Sequence, residues 1–127
     1  MLLQLLERGK LSLADSASKF FPVLGHVAGP TTRSGPITIQ QLATMTSGMP
    51  TEPSSEAFTT GHDWLASLRS AIATTSLAHE PGTAFEYSNL GYAALAAVLS
   101  RAAGIPYVEW QQTQILRPLK LTHTSFD

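Results

Sequence analysis

The chain has 127 residues, the size of one domain, and its apolar fraction of 43% is enough to build a core. Charged residues make up only 13%, well below the roughly 25% of an average soluble domain. The formal net charge is −1 and the basic residues are scattered, which argues against nucleic-acid binding; no apolar run is long enough to span a membrane, and the lack of cysteine excludes disulfide and thiol chemistry.

Leu2, Leu3, Leu5 and Leu6 share one broad helical face, and Gly9 is placed to end that helix. The segment does not read as a signal peptide, because it has no basic leader and Glu7-Arg8 follow at once; the compartment stays open. The helical pattern is already established at Met1 without a cap, so an upstream portion of the helix is expected. From Lys10 to Pro22 the chain reads as a connection. It holds one S-x-x-K string, Ser16-Ala17-Ser18-Lys19. That pattern carries a serine nucleophile and its lysine in penicillin-recognising enzymes when it opens a long helix. Here aromatics and Pro22 follow immediately, and a catalytic role for Ser16 is not favoured.

Residues 25 to 36 form a Gly/Pro/Ser/Thr-rich loop. Thr38 and Gln41 then make a capping box for a helix with Ile39, Leu42 and Met45 inward, stopped by Gly48 and Pro50. Pro50 to Gly61 is a second polar loop, long enough for function. Asp63 is positioned to cap a third helix with Leu65, Leu68 and Ile72 on its inner face.

The stretch Pro81-Gly82-Thr83-Ala84-Phe85-Glu86-Tyr87-Ser88-Asn89-Leu90-Gly91-Tyr92 organises the C-terminal part of the chain. Pro and Gly make a turn, Phe85 to Tyr87 are extended, and Asn89 is the expected N-cap of a buried helix from Leu90 to Leu99. This geometry brings Tyr87, Ser88 and Asn89 to the helix head. The helix buries Leu95, Val98, Leu99 and Ala102 and ends at Gly104. Pro106 opens a last helix, with Tyr107, Val108, Trp110, Ile115 and Leu116 apolar and Pro118 as its stop. Residues 119 to 126 read as an extended exit. About five helices, few strands and no linker describe a mostly α domain over residues 1–127.

His26, His62, His79 and His123 lack metal-ligand spacing, so no metal or other cofactor is expected, and each reads as a surface or loop histidine. Glu52, Glu56, Asp63, Glu80 and Glu86 show no pairing that points two carboxylates at one spot. Trp64 and Trp110 sit among apolar neighbours and read as core. A phenol such as Tyr87 is a useful base only beside cations, and none lies near it in sequence. The Asn89 amide is suited to gripping a carbonyl or amide of a substrate.

The string Pro81 to Tyr92 resembles the segment carrying the Tyr-x-Asn motif of class C β-lactamases and of related β-lactamase-like carboxylesterases and D-alanyl-D-alanine peptidases. Three further blocks are similar and in the same order: Glu7 to Leu13, Ile37 to Pro50 and Ile115 to Phe126. The resemblance implies the helical subdomain of the β-lactamase/penicillin-binding-protein-like fold, without most of the α/β sheet domain. It implies acyl transfer from a β-lactam, ester or D-Ala peptide to water through an acyl-serine. Tyr87 would relay protons, Asn89 would bind the substrate's side-chain amide, Ser88 would be structural, and the loop from Pro50 would border the cleft.

The family's S-x-x-K nucleophile would align upstream of Met1, and its Lys-Thr-Gly-type strand beyond Asp127. Ser16 to Lys19 falls where the family has a linker. The resulting expectation is a fragment of a serine hydrolase, inactive alone. The alternative is a non-catalytic helical module that uses the inherited cleft to bind a partner, a complementary half or a second copy.

Overall fold

The computed structural model describes residues 1–31, 35–53 and 63–126. Glu56, His62 and residues 54–61 of the second polar loop lie outside them. Among the described residues there are five α-helices: α1 (Leu2–Glu7), α2 (Ile39–Ala43), α3 (Trp64–Ala73), α4 (Asn89–Ala103) and α5 (Tyr107–Gln111). The last runs into a π-helical turn at Gln112–Leu116, and 3-10 turns lie at Ala17–Lys19 and Pro22–His26. No strand occurs among these residues, only single bridges joining Ser16 to Thr38 and Ala28 to Ser76.

α4 is the axis of the core. Leu90, Ala94, Leu95, Ala97 and Val98 are all buried, and α4 packs against α1, α2, α3 and α5. A helix touched from so many sides needs small residues where neighbours come close, and the alanines supply them. Gly104 ends it at φ 76, a left-handed conformation that residues with a Cβ avoid. Around α4 the core is completed by Leu5, Phe21, Ile39, Leu42, Met49, Leu68 and Ile72, each at 1% exposure or less. The capping box of α2 is complete: the Gln41 amide donates to Thr38 Oγ1 at 3.2 Å and the Thr38 amide to Gln41 Oε1 at 2.9 Å.

Several elements differ from the sequence expectation. α2 ends at Ala43 instead of running to Gly48, and Met45 takes φ 56 beyond its end. The reason is tertiary. The carbonyls of Met45, Thr46 and Gly48 accept from the amides of Glu86 (2.8 Å), Gly82 (2.7 Å) and Ala78 (2.8 Å). A continued helix would aim those carbonyls along its own axis. Met49 is therefore the fully buried methionine, and Met45 is only half-buried.

In α3 the inner face is Leu68, Ala71 and Ile72, whereas Leu65 is 37% exposed. Asp63 holds the N-cap position without a side-chain bond, its backbone at φ −119, ψ 36 lying outside the extended region that suits a cap. Pro106 sits one residue before α5 as its N-cap, not at the first helical position. Residues 119 and 120 of the expected extended exit turn instead, because the Leu121 amide returns to the Leu116 carbonyl at 2.9 Å and Lys120 takes φ 53.

The two ends of the described chain are clasped. Trp110, 6% exposed, donates its indole N–H to Gln4 Oε1 at 2.9 Å, and the Arg8 guanidinium lies 4.7 Å from the Trp110 ring. Arg8 also donates to Gln114 Oε1 at 3.0 Å.

Candidate functional site

The site is built where residues 45–53 and 78–88 meet the first turn of α4. Ser88 has extended backbone (φ −140, ψ 107), so side chains of successive residues leave on opposite faces. Ser88 turns inward and is 2% exposed; Tyr87 (55% exposed) and Asn89 turn outward. Two polar side chains, not three, therefore reach the surface.

Ser88, not Asn89, is the N-cap. Its hydroxyl accepts from the Gly91 amide at 2.8 Å and donates to the Pro50 carbonyl at 2.7 Å. Asn89 is the first residue of the helix, and its side-chain amide donates to Glu52 Oε1 at 2.5 Å. Both residue types are good caps; the serine takes the position because its short hydroxyl fits a closed space. A Cβ on Gly91 would lie 3.0 Å from Ser88 Oγ and 3.6 Å from Ser47 Oγ.

The segment 50–52 is stitched to this strip along its whole length. Thr51 Oγ1 donates to the Tyr87 carbonyl at 2.8 Å, and the Thr51 carbonyl accepts from the amides of Asn89 (3.1 Å) and Leu90 (3.3 Å). With Gly91 bound to Ser88 Oγ and the Tyr92 amide bound to the Ser88 carbonyl at 3.1 Å, the first turn of α4 has its amides occupied. It is not an anion site. The Tyr87 hydroxyl has no hydrogen-bond partner among the described residues, and Phe85, at 70% exposure, stands two residues before it on the same outer face.

Sequence reasoning did not find Thr51 and Glu52 as partners of this strip. They are 36 and 37 residues from Tyr87 and Asn89, and no local periodicity signals such a pairing. Nor did it separate His79 from the other histidines. His26 and His123 are exposed, but His79 is packed, with its side chain 21% accessible. The S-x-x-K string does not assemble as a nucleophile. Ser16 Oγ lies 2.8 Å from Ser18 Oγ, and Lys19 Nζ is 3.3 Å from Asp15 Oδ1. The Asp15 carboxyl is held below the usual range, first by the Ser12 amide at 2.9 Å and then by Lys19. Among the described residues no three metal-binding side chains converge, and no helix is long and apolar enough to cross a membrane.

Solved structures give the class of this helical frame. It superposes on a β-lactamase/D-alanine carboxypeptidase from Yersinia pestis with a TM-score of 0.78 at 30% identity, covering 95% of this chain and 35% of that one. It superposes likewise on EstCE1, a hydrolase with promiscuous acyltransferase activity, with a TM-score of 0.74 at 26% identity, covering 91% of this chain and 33% of that one. The frame is thus a helical part of the β-lactamase-like hydrolase fold. The chain belongs to the Beta-lactamase family, whose model matches residues 1–127. Among curated relatives it is 36% identical to Protein flp of Staphylococcus aureus (strain N315), covering 98% of this chain and 25% of that protein. It is also 36% identical to the D-alanyl-D-alanine-carboxypeptidase/endopeptidase AmpH of Escherichia coli (strain K12), covering 99% and 33%. The chain spans a quarter to a third of the length of these relatives.

Proposed function

We propose that the chain forms one wall of an acyl-transfer active site in a serine hydrolase, with Tyr87 and Asn89 as its substrate-facing groups. The observation that carries this reading is the division of the strip. Ser88 is consumed in holding the backbone, while Tyr87 and Asn89 leave one solvent-facing side with the Tyr87 hydroxyl uncommitted among the described residues. In the reaction, a serine oxygen attacks a lactam, ester or D-Ala peptide carbonyl, and the leaving group departs with a proton to give an acyl-enzyme that water then cleaves. Tyr87 serves as the proton relay, which requires a cation beside its phenol. Asn89 offers its amide to the substrate's side-chain amide, and the Glu52 carboxylate that holds its NH₂ group fixes which way it points.

The nucleophile and the cation are not Ser16 and Lys19, whose side chains are turned to Ser18 and Asp15. They belong to the remainder of the active site, in keeping with relatives three to four times as long. The isolated 127-residue chain is therefore inactive. A fluorophosphonate probe tests this directly: no labelling is expected, and a labelled serine, Ser16 above all, overturns it. A chimera in which residues 1–127 replace the matched region of AmpH tests the roles. A folded chimera is expected to hydrolyse D-Ala peptides, and Tyr87→Phe to slow it about 100-fold or more. Full activity with phenylalanine there excludes the relay.

A further inference from the structure

Among the described side chains, His79 Nε2 is the polar atom shut off from solvent without a hydrogen bond. Its neighbour is a carboxylate: Glu86 Oε2 lies 3.3 Å away, at ion-pair distance but out of hydrogen-bond alignment. On the other side of the ring, Nδ1 is 3.3 Å from the Glu80 carbonyl oxygen. Both nitrogens face oxygens, Nδ1 the Glu80 carbonyl and Nε2 the Glu86 carboxylate. The Glu80 carboxylate itself points elsewhere, accepting from Thr31 Oγ1 at 2.7 Å.

The backbone around this ring is tied on every side. Gly48 lies so close to the His79 carbonyl that a Cβ there would overlap the oxygen. The Gly82 amide, at the tip of the loop 79–86, donates to the Thr46 carbonyl at 2.7 Å, and the Glu86 amide donates to the Met45 carbonyl at 2.8 Å. His79 and Glu86 are the first and last residues of that loop, and Tyr87 comes directly after it.

We propose that His79 is a positioning residue: its ring and the Glu86 carboxylate clamp the two ends of the loop and so fix the backbone from which Tyr87 emerges. The importance of the clamp rests on the proton-relay role proposed for Tyr87, but its existence does not, and it is measurable in the chain alone.

The experiment is site-resolved amide exchange with NMR of the Tyr87 ring, on the 127-residue chain and its His79→Ala, His79→Gln, Glu86→Gln and Glu86→Ala variants. His79→Ala is expected to speed exchange at the Gly82 and Glu86 amides at least about tenfold relative to Val98 and Leu99 in α4, and to shift the Tyr87 ring signals. Glu86→Ala should give the same pattern, and the double alanine variant little more than either one. His79→Gln, which keeps a donor, should restore most of the protection, and Glu86→Gln, which keeps the shape of the acceptor, should lie between wild type and Glu86→Ala. Unchanged exchange at the Gly82 and Glu86 amides in His79→Ala and Glu86→Ala, together with unmoved Tyr87 signals in all variants, overturns the proposal. So does strict additivity of the two alanine substitutions, or acceleration spread evenly over α4. A chimera indifferent to Tyr87→Phe would sink the proton relay and leave a demonstrated clamp standing.

Discussion

The inner and outer faces of the strip from Tyr87 to Gly91 differ in kind although they are built from adjacent residues. On the inner face each polar group is matched: the Ser88 hydroxyl has both a donor and an acceptor partner, and the amides of the helix head are divided between Thr51 and Ser88. On the outer face Phe85, Tyr87 and Asn89 are exposed, with one side-chain bond among the described residues, from Asn89 to Glu52, as their restraint. Buried polar groups are costly when unpaired, so the inner face is closed by stability. The outer face contributes little to stability, and its chemistry is free to serve something else. The candidate site is held from behind, and in front the Tyr87 hydroxyl is left uncommitted among the described residues.

Substitutions can break this contrast in graded steps. The largest loss is expected from Gly48→Ala, where a Cβ would overlap the His79 carbonyl at a backbone φ of 79. About 3 kcal/mol or more should disappear from the unfolding free energy measured in denaturant. Leu90→Ala, beneath the strip at 2% exposure, should cost about 2–4 kcal/mol in the same measurement. Ser88→Ala leaves the Pro50 carbonyl and the Gly91 amide without their partner, and about 1–2 kcal/mol is expected. By contrast, Tyr87→Phe and Asn89→Ala should stay within about 0.5 kcal/mol of wild type, as changes on exposed surface do. A loss at Tyr87 or Asn89 as large as that at Ser88 would erase the distinction between the faces.

Asp15 provides a reference outside the strip, bonded through its carbonyl to the Ile39 amide at 3.1 Å. Its carboxyl is held below the usual range by the Ser12 amide and then by Lys19. A lowered carboxyl stabilises the fold above its ordinary titration range, and that contribution fades as the pH falls through the range. Asp15→Asn should therefore flatten, slightly, the acid limb of a plot of melting temperature against pH. It should leave the strip's exchange protection unchanged.

The residues that were legible in the sequence are those whose reason is local. The Thr38/Gln41 capping box, the buried run in α4 and Gly104 at its end are all set by neighbours within one or two turns. What escaped was decided at a distance. Ser88 and Asn89 are equivalent as caps by chemistry, and the choice between them depends on a carbonyl 38 residues away. Met45 continues a helical stripe on paper, yet its carbonyl is required by Glu86. His79 is one histidine among four until the fold brings Glu86 against it. The Tyr-x-Asn segment was readable by likeness, because a short string kept with its neighbouring blocks in order carries more information than its chemistry alone.

The clasp between Gln4 and Trp110 has a consequence for synthesis. The two residues are 106 positions apart, so α1 has no indole to bind until α5 has left the ribosome. At about 5–20 residues per second that interval is of the order of ten seconds. During it Gln4 and Arg8 of this first segment lack their Trp110 partner. A nascent-chain chaperone or a protease can reach this side of α1 throughout that interval, and Trp110→Ala should lengthen the exposure.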